Sequence, residues 1–222
     1  NDYDVPADHI AVVEPGVDKP SGTLPEISGE SNIVRLLCVA TITPRKGHDL
    51  LVAALAELRD RTWVLNCVGD TERSPETVAA LRGRIAAAGL DDRIVLTGKV
   101  DASTLAEQLR SSDLFVLATH FEGYGMAVAQ ALTYGLPIVS TRTGAIAELV
   151  SEQAGLLVEP NDVAALREAL ASLIGDDDLR RRLSRGAREA GRNLPDWRAA
   201  SELFSKALID AAQRQFNPVP RS

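Results

Sequence analysis

The chain has 222 residues, enough for one large domain or a domain with an appendage, and a domain of this size buries roughly 70% of the surface its unfolded chain exposes. Apolar residues make up 45% and charged residues 25%, an ordinary balance for a soluble globular protein, and no apolar run is long enough to span a bilayer. The formal net charge of −7 argues against a nucleic-acid duplex or an anionic membrane surface as the main partner.

The first residue is Asn1 rather than Met, and no basic-then-apolar leader follows, so the chain reads as a piece trimmed from something longer. After a loop-rich opening, DKPSGTLPEISGESN, apolar β-branched runs alternate with amphipathic ones. IVRLLCVAT at 33–41, TWVLNCVG at 62–69, RIVLTG at 93–98, DLFVLAT at 113–119, LPIVST at 136–141 and GLLVE at 155–159 read as buried strands. Between them, GHDLLVAALAELRD carries Leu50, Leu51, Ala54, Leu55 and Leu58 at helical spacing, PETVAALRGRIAAAGL stops at Gly89, and DASTLAEQLRSS opens with Asp101 and Ser103 as caps. This order predicts an α/β fold, a Rossmann-like doubly wound parallel sheet with helices on both faces, and places a ligand at the carboxyl ends of the strands. From residue 161 onward three helices are expected, NDVAALREALASLIG, DDDLRRRLSRGAREAGR and PDWRAASELFSKALIDAAQRQF, followed by a frayed tail, NPVPRS. Asp176, Asp177 and Asp178 read as the acidic first turn of a helix, where they oppose its dipole, rather than as a metal site.

Two stretches concentrate chemistry. In HFEGYGMAVAQALTYGLP the glycines Gly123 and Gly125 flank Tyr124 at the start of a helix running from about Met126 to Tyr134. Free N–H groups of Gly125, Met126 and Ala127 there could hold a phosphate, and a plain strand-to-helix turn accounts equally for the glycines. In CVATITPRKGHD, Arg45 and Lys46 precede a helix that begins at Gly47, at the same carboxyl edge of the sheet. Cations at a helix N-terminus are unfavourable unless an anion arrives to neutralise them, although a solvated turn is the simpler account of this stretch alone. Together the two stretches suit a diphosphate. Cys38 and Cys67 lack zinc or redox spacing and read as buried, inert thiols. His48 reads as a solvated helix residue, His120 as the end of a strand, and Asp70 as a turn residue or a border of the crevice. The G-x-S-x-G elbow, the P-loop and the dinucleotide glycine pattern are absent.

TPRKGHDLLVAALAEL, LTGKV, FEGYGMAVAQALTYGLPIVSTRTGAIAELV and AGLLVEPND, in this order and spacing, resemble the carboxyl-terminal domain of family 4 retaining glycosyltransferases, which have the two-domain GT-B architecture. The resemblance covers residues 10–197. It implies that Glu122, the first acid of the family's pair, contacts the donor sugar's hydroxyls, and that Gly123, Tyr124, Gly125, Met126 and Ala127 border sugar and phosphate. It implies that Lys46 neutralises the donor diphosphate and that the backbone at Lys99 and Val100 borders the nucleotide base. It also implies that no metal or other cofactor is needed beyond the nucleoside-diphosphate sugar itself.

Two positions depart from the family pattern. Gln130 stands where the second acid of the pair holds the ribose, so the contact falls from about 1.5–3 to about 0.5–1.5 kcal/mol. Thr41 stands where an arginine usually follows the first strand, leaving Arg45 as the replacement cation. On this reading residues 1–30 are a crossover segment and loop, 31–196 the donor-binding domain and 197–222 a crossover helix and tail. The amino-terminal acceptor domain is missing, and the piece alone is inactive. Trp197, Phe204, Leu208 and Ala211 line one face of the last helix, which is expected to be partly exposed or packed on another chain. Two unpaired cysteines fit a reducing, cytoplasmic setting, and a peripheral membrane association of the parent stays open. A GT-B-related sugar-nucleotide epimerase and a binding module that has lost catalysis are the competing readings.

Overall fold

The computed structural model describes residues 9–24 and 32–216. The NPVPRS tail and much of the loop-rich opening lie outside the described residues. The chain forms two compact units, one from Pro20 to Asn193 and one that joins Asn1–Lys19 to Leu194–Ser222.

The larger unit is a six-stranded parallel sheet. Strands β1 (Val34–Val39), β2 (Trp63–Val68), β3 (Ile94–Gly98), β4 (Leu114–Leu117), β5 (Ile138–Thr141) and β6 (Gly155–Val158) lie in the order β3-β2-β1-β4-β5-β6. Every residue of β4 and β5 is buried, as β-branched and leucine-rich runs require when helices cover both faces. The edge strands β3 and β6 are only partly buried.

The crossovers are helices α1 (His48–Ala56), α2 (Pro75–Ala87), α3 (Ala102–Ser111), α4 (Met126–Thr133) and the four-residue α5 (Ile146–Leu149). Asp101 caps α3 by accepting from the Thr104 N–H at 2.7 Å, while Ser103 bonds to Asp101 instead of capping. Helices α6 (Val163–Gly175) and α7 (Asp177–Asn193) complete the unit. Asp176 caps α7 through the Leu179 N–H at 2.9 Å, and Asp177 and Asp178 pair with Arg180 and Arg181 one turn on. The acidic triplet is therefore a helix start whose carboxylates are already partnered.

Helix α4 matters most for the site, and α7 fixes where it lies. Gly191 of α7 presses its backbone onto α4 so closely that a Cβ would stand 2.2 Å from the Leu132 carbonyl oxygen. Ser184 of α7 donates to the Gly135 carbonyl at 2.7 Å, just where a left-handed glycine (φ 73°) stops α4. The ridge of α7 thus seats α4 from behind and leaves its amino end at the sheet's carboxyl edge.

In the smaller unit the Val17 N–H donates to the Pro195 carbonyl at 2.9 Å and Lys19 Nζ to the Leu194 carbonyl at 2.7 Å. Asp196 caps helix α8 (Trp197–Phe216) through the Ala199 N–H at 2.8 Å. Trp197, Phe204 and Leu208 are each more than half exposed on α8, so among the described residues nothing covers most of the apolar stripe.

Replacing Gly191 by Ala forces the two helices apart, because the blocking atoms are backbone and cannot rotate away. We expect a loss of about 1–3 kcal/mol in urea unfolding, and an unchanged midpoint would contradict this account of how α4 is seated.

Candidate functional site

In an open α/β sheet, the crevice lies where adjacent strands send their crossovers to opposite faces. Here that point falls between β1 and β4, whose neighbours in the chain lie on opposite sides. The loops that leave these two strands are the RKG turn and the segment around Glu122, and they meet.

Lys46 Nζ donates to Glu122 Oε2 in an ion pair. Their side chains are only 14% and 16% exposed, so neither charge is freely hydrated. Backbone bonds hold the two loops in register: the His120 N–H donates to the Arg45 carbonyl at 2.9 Å. Thr119 Oγ1 lies 2.9 Å from the Phe121 carbonyl and 3.1 Å from the Arg45 carbonyl, so one hydroxyl proton bridges both. Thr141, at the end of β5, donates from its hydroxyl to the Thr119 carbonyl.

Two glycines make this approach feasible. Gly47 adopts φ 63°, and a Cβ there would stand 1.8 Å from the Ala118 carbonyl oxygen. Gly144, in the loop after β5 with φ 49°, would place a Cβ 1.8 Å from the Glu122 carbonyl oxygen. The Ala145 N–H also reaches the Gly123 carbonyl, at 3.3 Å. Reasoning from sequence missed Thr119, Thr141 and Gly144. The available signals were hydroxyl residues at the ends of two buried strands and a glycine in the STRTG segment.

The remaining candidates take their places around this pair. Gly125 (φ 91°) starts α4, and among the described residues no side chain caps that end, so its first amides are not claimed by a capping side chain. Gly123 is exposed, Tyr124 and Ala127 are half-buried and Met126 is exposed. Arg45 spends one guanidinium bond on the Phe121 carbonyl at 2.7 Å, bracing the Glu122 loop. Thr41 is half-buried beyond β1, flanked by Ala40 and Ile42, whose N–H groups bond to Val68 and Asp70. Gln130 lies half-buried on α4, with its Nε2 3.4 Å from Thr133 Oγ1 on the same helix.

Lys99 and Val100 follow β3, and Lys99 pairs with Asp70 at 3.1 Å across the strand ends. Asp70 also accepts from the Glu72 N–H at 2.7 Å and the Arg73 N–H at 3.3 Å. The Glu72 bond, followed by Lys99, holds its carboxyl below the usual aspartate value. Asp70 is thus a turn-former that also reaches the loop after β3.

Two histidines differ from expectation. His120 does not finish β4 but stands exposed in the loop beyond it. His48 is not solvated: it is 4% exposed, because the left-handed turn at Gly47 tucks the first residue of α1 against β1. Its Nε2 lies 3.7 Å from Cys38 Sγ.

A family model described as "Glycosyl transferases group 1" matches residues 34–176, well over half of the chain. The chain belongs to this family. Among group 1 glycosyl transferases and their relatives, the D-inositol 3-phosphate glycosyltransferase of Xylanimonas cellulosilytica is 29% identical, over 96% of this chain and 54% of that protein. The chain spans about half the length of the curated relatives it matches. The solved carboxyl-terminal domain of a group 1 family glycosyl transferase (LpcC) from Francisella tularensis is similar with a TM-score of 0.64 and 25% identity, over 71% of this chain and 83% of that one. The Anabaena protein Alr3699/HepE, solved in complex with UDP and glucose, has a TM-score of 0.74 at 22% identity, over 81% and 49% of the two chains, a likeness of fold. As a group 1 glycosyl transferase, the chain corresponds to the Rossmann-like carboxyl-terminal half of the GT-B fold.

The Lys46–Glu122 pair makes a stability prediction. Glu122→Gln leaves the ammonium without its carboxylate and costs about 1–3 kcal/mol, and Lys46→Met costs a similar amount by stranding the acid. The double variant, in a denaturant double-mutant cycle, should lose clearly less than the sum. Strict additivity would contradict the contact.

Proposed function

We propose that this chain is the donor-binding half of a retaining glycosyltransferase of the family 4 type, whose parent transfers a sugar from a nucleoside-diphosphate sugar to an acceptor. One observation carries the reading: a largely buried lysine and acid meet at the sheet's switch point, beside a helix end that no side chain among the described residues caps. The Xylanimonas relative bears the name of a glycosyltransferase, and the solved HepE structure, alike in fold, is a complex with UDP and glucose. Both support the substrate class.

In this reading the diphosphate replaces Glu122 as the partner of Lys46. The amides of Gly125, Met126 and Ala127 face the same anion, where the helix dipole adds positive potential. As the glycosyl–oxygen bond breaks, negative charge grows on the departing diphosphate, and fixed donors already aimed there stabilise it more than they stabilise the bound donor. Glu122, released from Lys46, accepts hydrogen bonds from the sugar's hydroxyls and orients the ring. Arg45 holds the loop and adds positive charge beside it. Lys99, Val100 and Asp70 border the base, and Gln130 offers an amide to the ribose. The chemistry needs no metal, because the leaving group is neutralised by a cation and by backbone.

The acceptor would be held by the other half of the parent, since this chain spans about half the length of the curated relatives it matches. Aligning both reactants in a closed cleft supplies much of such an enzyme's acceleration, so the chain alone should bind donor and transfer nothing at a useful rate. The exposed apolar stripe of α8 fits a surface that the missing half covers. We place the parent in the cytoplasm, with peripheral membrane contact left to its other half.

Isothermal titration with a panel of nucleoside diphosphates tests the reading. Lys46→Met should weaken binding about tenfold or more, the effect of losing one charge-assisted contact, and a chelator should change nothing. Thr41→Arg should tighten binding by restoring a second cation. If no nucleoside diphosphate binds at millimolar concentration, the chain is a non-catalytic module instead.

A further inference from the structure

Directly beneath the Lys46 turn lies a cluster that the proposed transfer chemistry does not use. Cys38 of β1 and Cys67 of β2 are register partners on adjacent parallel strands. Both side chains are buried, and so is His48 at the first position of α1. One ligand atom from each of the three residues lies within 4.8 Å of the other two, and Cys38 Sγ stands 3.7 Å from His48 Nε2. Sulfur and imidazole nitrogen bound to one zinc-like ion stand about 3.5–3.8 Å apart, given metal–ligand bonds of about 2.3 and 2.0–2.1 Å. The Cys38–His48 pair is thus already at the spacing of coordinated ligands.

From this geometry we infer that Cys38, Cys67 and His48 form a binding site for a thiophilic d10 cation, Zn2+ or Cu+. Two sulfurs and one imidazole are a soft donor set, suited to these ions and poor for Mg2+ or Ca2+. Among the described residues no carboxylate joins the cluster, which removes the hard ligands that alkaline-earth ions require. Binding converts two thiols to thiolates and releases two protons to solvent, while the imidazole binds through its neutral nitrogen. Two thiolates neutralise a divalent ion completely, so a buried Zn2+ leaves no net charge in the interior. With Cu+ the site carries a single excess negative charge. The thiol of Cys38 is already pulled below its ordinary value, first by the hydrogen bond from Cys67 and then by His48 and Lys46 against the opposing effect of burial. The thiol of Cys67 is pushed well up by the same hydrogen bond and by burial, so its proton is the harder of the two to release.

The site would act as a clamp. It ties β1, β2 and the amino end of α1 together. It is separate from the donor crevice: sulfur ligation does not require Lys46 or Glu122, and donor binding does not require the metal.

The reduced chain should bind Zn2+ one to one, with a raised unfolding temperature. X-ray absorption at the zinc edge of the loaded wild-type chain should show sulfur and imidazole neighbours, and Co2+ in its place should give sulfur-to-metal charge-transfer bands. Cys67→Ser should weaken Zn2+ binding more than about tenfold, the low end of what changes merely outside a ligand shell produce. Cu+ is titrated in a parallel anaerobic arm, and tighter binding there than for Zn2+ assigns the site to the monovalent ion. An oxygen-only or nitrogen-only shell around zinc in the wild-type chain, with no Cu+ bound through sulfur, overturns the inference and leaves a plain thiol–imidazole packing contact. The wild-type spectra stand even if Cys67→Ser does not fold, and a nucleoside-diphosphate titration on the same sample reports on the donor crevice independently.

Discussion

A lysine and a glutamate with little access to water are each other's partner in this structure, and removing either would strand the other. That constraint organises the carboxyl edge of this sheet. The ion pair of Lys46 and Glu122 ties the first crossover to the loop leaving the fourth strand, which is where the winding of the sheet reverses. In the proposed function a diphosphate would give the lysine a partner of higher charge and leave the acid to hydroxyl donors, so neither charge would have to be stranded to admit a substrate.

The frame around the pair is built from backbone, and that gives it stiffness. Gly47 and Gly144 allow two loops to pass within contact distance of the carbonyls of Ala118 and Glu122, where any side chain would collide. The hydroxyls of Thr119 and Thr141 then tie the exits of β4, β5 and the RKG turn into one hydrogen-bonded unit. Behind it, α7 seats α4 through Gly191 and Ser184. Backbone contacts and short hydroxyl side chains thus fix the loops at the strand ends and α4 behind them.

Much of this was legible in the residues. All six β-branched runs became strands, because a parallel sheet buried on both faces demands continuous apolar sequence and little else mimics it. That Arg45-Lys46 and the Glu122 stretch border one crevice was expected from their common place at the sheet's carboxyl edge, while their actual meeting depends on the strand order that sets β1 beside β4. What stayed hidden depends on register and on close packing. Nothing in the sequence near His48 says that it turns inward; the left-handed turn before it decides that. Cys38 and Cys67 have no telling spacing, and only the pairing of β1 with β2 sets them side by side. Thr119 and Gly144 look like any strand end and any loop glycine until their partners, distant in the chain, are in place.

The most direct test is a crystal structure of the chain soaked with a nucleoside diphosphate. The account predicts a phosphate oxygen about 3 Å from Lys46 Nζ and from the first amides of α4, with the carboxylate of Glu122 displaced from the lysine. A nucleotide seated elsewhere, with the Lys46–Glu122 pair still closed, would contradict it.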